Sequence, residues 1–158
     1  MTAAQQETQQ ETQQETQQKQ LFWPGERAEE LLRELATWGN TTTIVVHGGS
    51  VFEFKGPFPA GSMAEGYYNL HGPVPGFHGH LRLDRIARVR FQEKTHRGRA
   101  SYAFCFDTDQ SETVFKVFLG RDEAGHLIPE QLAAYEKLKG RALVSATTDP
   151  TASTETSS

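Results

Sequence analysis

The sequence has a single cysteine, Cys105, and no apolar run that approaches the length of a membrane span. A lone cysteine cannot form a disulfide within the chain, which excludes a disulfide-stabilised scaffold and favours a reducing compartment. A membrane helix needs about 20 consecutive apolar residues, and the N-terminus also lacks the basic and apolar regions of a secretory signal. The sequence therefore predicts a cytoplasmic protein without a membrane-inserted segment.

The sequence has neither a net positive charge nor a recognisable catalytic motif. The net charge is −4 and the pI is about 5.9, so nothing in the charge balance attracts nucleic acid or an anionic membrane surface. The chain has no Gly-x-Ser-x-Gly elbow and no glycine-rich phosphate loop of the Walker or Rossmann kind. Its carboxylates show no spacing typical of a glycosidase pair. The sequence therefore gives no positive signal for an enzyme.

Both ends of the chain lack large apolar side chains. Residues 5–18 read QQETQQETQQETQQ, and the last residues, from Ser145, read SATTDPTASTETSS. Such segments cannot bury enough apolar surface to offset the entropy cost of ordering them. We expect disordered tails over residues 1–20 and 145–158, and one folded domain over residues 21–144.

The expected domain begins with a helical pattern and a hairpin pattern. In ERAEELLRELATWG, leucines and Trp38 recur at helical spacing, and Gly39 can end the helix. In TTTIVVHGGSVFEFKG, β-branched residues flank Gly48 and Gly49, a pair that favours a two-residue β-turn. This register puts His47 at the tip of the hairpin.

The rest of the domain reads mostly as strands. KGPFPAGSMAEG is expected to be a loop, whereas YYNLHG, GFHGHLRLDRI, RVRFQEK, SYAFCFDTD and ETVFKVFLG are expected to be strands joined by short turns. PEQLAAYEKLKG, with Pro129 in its first turn and Gly140 after its end, predicts a second helix. Because strands do not alternate with helices, we predict an α+β fold with an antiparallel sheet.

Three of the six histidines lie in GYYNLHGPVPGFHGHLRLDRI, residues 66–86. On a strand, His78, His80 and Arg82 share one face. Imidazole is a good ligand for zinc and for iron. A closed zinc site takes four ligands, usually with cysteines among them. A haem site needs only one axial imidazole, together with an apolar wall and cations for the propionates. The alternative is an ordinary surface or hydrogen-bonded histidine, and residue type does not decide between these uses.

Two cations near the end of a predicted strand, Lys116 and Arg121 of FKVFLGRDE, also allow two interpretations. They are either surface charges beside a salt-bridged turn or a binding site for carboxylates of a ligand, for which the planar guanidinium is well suited. Cys105 lies inside an apolar run and is expected to be a buried, unreactive thiol.

Four segments together resemble one known family. TWGNTTTIV, GYYNLHG, GFHGHL and VFKVFLGRDEAGHLIPEQLAAYEKL occur in this order between Ala36 and Leu138. The series resembles the ChuX/HutX family of cytoplasmic haem-utilisation carriers, which is related in fold to one half of the larger two-repeat haem-trafficking proteins. The resemblance covers nearly the whole expected core, and FKVFLGRDE and the Gly-His-Leu triplet are its most specific parts.

The resemblance implies an antiparallel α+β fold with flanking helices, a homodimer, and haem b as the carried ligand. It assigns the axial bond to the haem iron to His80, in the Gly-His-Leu triplet. The second histidine of the family aligns with Val46, and the adjacent His47 replaces it only if the hairpin contains a bulge or a shifted register. His78 is a further expected haem contact, and Lys116 and Arg121 are expected to bind the propionates.

The expected function is that of an intracellular carrier, which receives haem from an importer and delivers it for use or to a haem-degrading enzyme. Four aromatic side chains are expected to shield the porphyrin: Phe52, Phe54, Tyr68 and Phe77. Two alternatives remain open. One is an enzyme that degrades or remodels the tetrapyrrole, since it needs a similar pocket, and the other is a regulatory module that signals through a partner when haem is bound.

Overall fold

The structure is a computed structural model of the chain and describes residues 20–144. The two predicted tails fall outside the described residues, apart from Gln20, so their disorder stays a prediction. Among the described helices, none has the length and apolar character needed to cross a bilayer.

Strands dominate the described part of the chain. They are β1 (Leu21–Pro24), β2 (Asn40–His47), β3 (Ser50–Pro57), β4 (Ala60–Ala64), β5 (Tyr67–Gly72), β6 (Gly79–Leu81), β7 (Arg88–His96), β8 (Arg99–Asp107), β9 (Thr113–Leu119) and β10 (Leu143–Val144). The α-helices are α1 (Ala28–Leu35) and α2 (Pro129–Lys139), and two short 3-10 turns span Gly25–Arg27 and Leu83–Arg85.

The strands form two sheets. The seven-stranded sheet has the order β10-β1-β7-β8-β9-β2-β3, and the three-stranded sheet has the order β4-β5-β6. Every pair of neighbouring strands in these sheets is antiparallel. The predicted α+β fold with an antiparallel sheet is therefore confirmed, as are the two predicted helices.

The β2–β3 hairpin has the register that the sequence predicts. Its pairing runs without interruption from Asn40 opposite Pro57 to His47 opposite Ser50. The turn residues Gly48 and Gly49 have φ angles of 57° and 79°. A two-residue turn of this kind requires positive φ at both positions, which glycine adopts without a steric cost.

The loop predicted over KGPFPAGSMAEG is wrong, because β3 continues to Pro57 and β4 occupies Ala60–Ala64. Of the glycines there, Gly66 lies in the turn between β4 and β5, whereas Gly61 serves close packing. A Cβ on Gly61 would lie 2.6 Å from the Tyr68 ring, so glycine lets β4 approach β5 at this position. The β1 strand was also not among the predicted strands.

The strand predicted over GFHGHLRLDRI is too long. Only β6 is extended, and the 3-10 turn Leu83–Arg85 follows it. Leu83 and Ile86 are both buried. A 3-10 turn directs residues three apart to the same side, whereas a strand would send them to opposite faces, so burial of this pair favours the turn.

One hydrophobic core lies between the two sheets and the helices. The inner face of the seven-stranded sheet contributes Val89, Phe91, Phe104, Phe106 and Val117 to this core. Leucines of α1, Tyr135 of α2 and the inner residues Tyr68 and Leu70 of β5 pack against them. The outer face of the seven-stranded sheet carries the intervening residues: Gln92, Ala103, Cys105, Lys116 and Phe118.

Candidate functional site

His80 is the central residue of β6 and lies opposite Asn69 of β5. Side chains of β5 alternate between the two faces, so that Tyr68 and Leu70 are buried while Tyr67 is exposed. His80 shares the face of Tyr67 and Asn69, which points away from the core. The imidazole therefore projects from the outer face of the three-stranded sheet.

The side-chain amide of Asn69 fixes the orientation of this imidazole. Its Nδ2 group donates to the carbonyl oxygens of Tyr67 at 3.1 Å and Ala64 at 3.2 Å, which turns Oδ1 towards β6 as an acceptor. Nδ1 of His80 donates to that oxygen at 2.6 Å. In the neutral ring the proton is therefore on Nδ1, and Nε2 carries a lone pair.

An aromatic ring and a cation flank His80. The Tyr67 ring meets the imidazole edge-on, with 6.0 Å between the ring centroids. The Arg82 guanidinium lies 5.5 Å from the centroid of the same Tyr67 ring, and it pairs with Asp84 at 2.7 Å. The Arg82 hydrogen bond keeps the pKa of the Asp84 carboxyl below its usual value. Because both His80 and Arg82 contact Tyr67, the three side chains form one surface.

His78 does not lie on a strand with His80. It is exposed in the loop before β6, and the predicted strand that would align the two histidines begins only at Gly79. The preceding Phe77 stacks on Phe54 of β3 with 4.8 Å between ring centroids. This contact holds the loop against the β2–β3 hairpin and leaves the His78 side chain in solvent.

His47 ends β2 at the tip of the hairpin and is exposed. The uninterrupted pairing of β2 with β3 contains neither a bulge nor a shift of register. Neighbouring residues on a strand point to opposite faces, so His47 and Val46 are directed oppositely. The β2–β3 pairing therefore lacks the bulge or register shift that would let His47 replace the second histidine of the family, which aligns with Val46.

The aromatic side chains expected to shield the porphyrin differ in accessibility. Phe52 is 54% exposed near the hairpin tip, next to the exposed Val46 and Val51. Phe54 and Phe77 are half-buried through their stacking contact. Tyr68 has no exposed surface, so the prediction that it shields a ligand is wrong; its ring belongs to the core because β5 turns it inward.

Lys116 and Arg121 lie apart from His47. Lys116 is on the outer face of the seven-stranded sheet and donates to Gln92 Oε1 at 2.8 Å. Arg121 follows the end of β9 where Leu119 pairs with Thr41, whereas His47 ends β2 six residues farther on. At about 3.3 Å per residue this corresponds to roughly 20 Å along the sheet. One copy of the chain therefore does not bring His47 and Arg121 together at one ligand.

Metal-binding clusters and reactive thiols are missing from the described residues. In that part of the chain, no three histidine, cysteine or carboxylate side chains come close enough to hold a metal ion. Cys105 has no exposed surface, which confirms its predicted burial, and burial raises the pKa of its thiol. Within residues 20–144, His80 is thus an exposed, oriented imidazole that belongs to no such cluster.

Sequence reasoning missed Asn69. Its only signal is positional, because pairing YYNLHG with GFHGHL as antiparallel strands puts Asn69 opposite His80 when Leu70 pairs with Gly79. The pattern alone fixes neither this register nor the three backbone carbonyls around the amide. The hydrogen bond to His80 is therefore a product of tertiary structure.

Comparison with known proteins identifies the family. A family model described as haem utilisation ChuX/HutX matches residues 21–138. The chain belongs to the ChuX/HutX family. The resemblance in the sequence motifs is thereby confirmed.

One curated member of the ChuX/HutX family is the intracellular heme transport protein HutX of Vibrio cholerae, with 47% identity over 115 residues. The match covers 73% of this chain and 60% of HutX, so the chain spans about three fifths of that relative. In the structure of the heme-binding protein ChuX, the identity is 28% and the TM-score is 0.71, with 77% of this chain and 76% of ChuX covered.

A larger protein shares the fold alone. Holo-PhuS, a heme-binding protein from Pseudomonas aeruginosa, has a TM-score of 0.64 at 13% identity. The superposition covers 80% of this chain and 35% of PhuS. This likeness confirms the prediction that the fold resembles one half of a larger two-repeat protein.

Proposed function

We propose that this ChuX/HutX-family chain is an intracellular haem carrier that binds the iron of haem b through Nε2 of His80. The single observation that supports this role is the Asn69–His80 hydrogen bond of 2.6 Å. Histidines that bind metals characteristically donate their other ring N–H to a fixed acceptor, which selects the tautomer and raises the basicity of the ligating nitrogen. His80 already has this arrangement without a ligand.

The openness of the site suits a carrier. His80 and Tyr67 are both exposed, so a haem bound there is covered on one side only by the chain itself. Burial of apolar surface is a large part of the affinity for a flat aromatic ligand, and a partly exposed ring loses some of it. A protein that must pass haem on benefits from this incomplete enclosure, because release does not require the fold to open.

Arg82 is the cation best situated to meet a propionate of haem bound at His80. It shares the Tyr67 surface with His80, whereas Lys116 and Arg121 lie on or beside the other sheet. The propionate roles of Lys116 and Arg121, and haem contacts by His47 and His78, stay predictions. A protonated arginine on an exposed surface exchanges partners readily, so its pairing with Asp84 does not prevent such a contact.

Haem titration of the full chain tests the proposal. We expect a Soret band for the wild type, and a loss of affinity of more than about 100-fold for His80→Ala, since outer partners of metal ligands already account for about 10–100-fold. His71→Ala, on the same exposed face of the three-stranded sheet, is the matched control and should titrate like the wild type. Equal affinities for wild type and His80→Ala would reject His80 as the ligand.

A carrier leaves the ring of its cargo unchanged. We expect the Soret band of the loaded protein to persist with ascorbate when catalase is present to remove peroxide. Loss of the band with formation of a linear tetrapyrrole would instead identify a haem-degrading enzyme. A partner captured only by the loaded protein, with no transfer of haem to it, would identify a regulatory module.

The homodimer and the partners for delivery complete the proposal. The proposal includes two copies in solution, a haem importer as the donor and a haem-degrading enzyme as the recipient. The family resemblance supports these partners, and no contact within residues 20–144 of a single chain does. Sedimentation of the apo and loaded protein measures the number of copies. Transfer of haem to a candidate recipient, followed by the shift of the Soret band, measures delivery.

A further inference from the structure

A cleft of about 500 Å³ opens on the outer face of the seven-stranded sheet, whereas His80 lies on the three-stranded sheet. It lies where the β7–β8 turn approaches the beginning of β2 and the end of β9. Its lining includes Thr42, Lys55, Arg99, Ser101, Phe118 and Arg121. Its volume is within the range typical of small-molecule sites.

The charges that line this cleft have one sign. No aspartate or glutamate is among its lining residues. In residues 20–144, neither Lys55, Arg99 nor Arg121 forms an ion pair with a carboxylate. A cleft lined by charges of one sign focuses their field, so these three cations raise the local concentration of anions.

The two guanidinium groups are fixed close to one another. Arg99 and Arg121 both donate to the carbonyl oxygen of Gly125, each at 3.1 Å, and Arg121 also donates to that of Ala100. Partial burial and the nearby Arg99 charge both lower the pKa of Arg121. Since the backbone carbonyls orient these groups without neutralising them, their mutual repulsion remains until an anion arrives.

The remaining donors match an anion with several oxygens. A guanidinium has five N–H donors, and the backbone contacts use only some of those on Arg99 and Arg121. The Lys55 ammonium and the Thr42 hydroxyl add further donors, while the Phe118 ring supplies an apolar wall. Planar guanidinium groups pair with carboxylate and phosphate oxygens two at a time.

We propose that this cleft is a second ligand site, which binds a small molecule bearing a phosphate group or a pair of carboxylates. The required chemistry is a compact set of anionic oxygens, which has two sources: a free phosphate or dicarboxylate metabolite, or the propionate pair of a tetrapyrrole. The free-anion source does not depend on haem binding at His80, because the cleft and His80 lie on different sheets.

Titration of the ¹⁵N-labelled full chain with inorganic phosphate and with glutarate, at constant ionic strength, tests the site. We expect saturable amide shifts at Thr42 and Ser101. In the double variant Lys55→Gln/Arg99→Gln, the affinity should fall at least about tenfold, because one charge-assisted hydrogen bond of about 1.5 kcal/mol already corresponds to that factor. Arg121 is left intact because it also ties together two backbone segments.

The matched control is Arg85→Gln/Lys137→Gln, which removes the same charge from exposed positions outside the cleft. It should bind both anions like the wild type. Absence of saturable shifts in the wild type, or equal weakening in the two double variants, would overturn the site.

Haem titration of the cleft variant separates the two sources. Unchanged haem affinity beside weakened phosphate binding identifies a free anion as the ligand, and a parallel loss of haem affinity identifies the propionates. Both results support an anion site. If the chain binds no haem at all, the proposed carrier function is rejected. The phosphate titration still tests whether the cleft binds an anion.

Discussion

In the seven-stranded sheet, Phe104 and Phe106 have no exposed surface, whereas in the three-stranded sheet His80 and Tyr67 face solvent. The first sheet holds its side chains by packing, since Phe104 contacts rings from a neighbouring strand and from α2. The second orients His80 by one hydrogen bond to Asn69. The hydrophobic effect is non-directional, whereas a hydrogen bond has a preferred geometry. The larger sheet therefore supplies stability, and the smaller one holds an imidazole in a fixed orientation.

The comparison predicts that substitutions in the two sheets have separable effects. Changes on the inner face of the seven-stranded sheet should lower the free energy of unfolding, with haem affinity of the folded protein preserved. Changes at His80 or Asn69, on the outer face of the three-stranded sheet, should lower haem affinity with little loss of stability. A single substitution that strongly lowers both the free energy of unfolding and the haem affinity would contradict this separation.

Phe104→Ala is expected to have the largest effect. Removal of a buried phenylalanine costs about 3–5 kcal/mol of stability, because it leaves a cavity as well as losing apolar burial. Urea unfolding monitored by tryptophan fluorescence measures this loss. Phe52→Ala at the exposed hairpin tip is the control of the same chemistry, and it should change stability by about 0.5 kcal/mol or less. Similar losses for both variants would contradict the packing difference.

Gln131→Leu should destabilise the junction between α2 and the large sheet by about 1–3 kcal/mol, since backbone groups lose buried hydrogen bonds. Gln131 is 3% exposed. It accepts from the Gly120 N–H at 2.7 Å and donates to the carbonyls of Trp38 and Asn40 at 3.0 and 2.7 Å. The same urea assay applies, with the exposed Gln110→Leu as the control. Unchanged stability would mean that water replaces these contacts.

Asn69→Leu should lower haem affinity by about 10–100-fold, the usual effect of losing the partner of a metal-binding histidine. Nitrogen NMR of the His80 ring provides the second measurement, because a purely structural role for Asn69 would not move the tautomer. We expect the Nδ1–H form in the wild type and a mixture in the variant. His71→Leu on the same strand is the control, and unchanged tautomer populations in Asn69→Leu would refute the positioning role.

The smallest effect is expected at Cys105. Burial keeps the thiol protonated and raises its pKa, so iodoacetamide at mildly alkaline pH should leave the native protein unmodified. Intact mass before and after addition of urea measures this protection, with one adduct expected only on unfolding. Rapid labelling of the folded protein would show that the outer face of the large sheet opens at Cys105.

Local patterns were sufficient for much of the fold. The leucine stripe of α1 and the Gly48-Gly49 turn predicted elements that the structure confirms, because spacing and turn chemistry are properties of adjacent residues. The strand β4 was missed, since its glycine and its lack of alternation resemble a loop. Its position depends on the close approach of Gly61 to Tyr68, which is a contact between strands.

The candidate site was predictable only in part. The Gly-His-Leu triplet singled out His80, but the expected partners Lys116, Arg121 and His47 are distributed over other faces and ends of the fold. Sequence spacing gives the face of a strand and not the distance between strands from different sheets. For the same reason Tyr68 was expected at a ligand and lies in the core.

The sequence by itself determined the antiparallel α+β class, the positions of both helices, the hairpin register and the prominence of His80, because these depend on side-chain periodicity, turn residues and a short motif. Only the tertiary structure decided that Asn69 orients His80, that Tyr67 and Arg82 flank it, and that Lys55, Arg99 and Arg121 line one cleft. These arrangements join residues from different strands, and their geometry is set when the sheets pack around the common core.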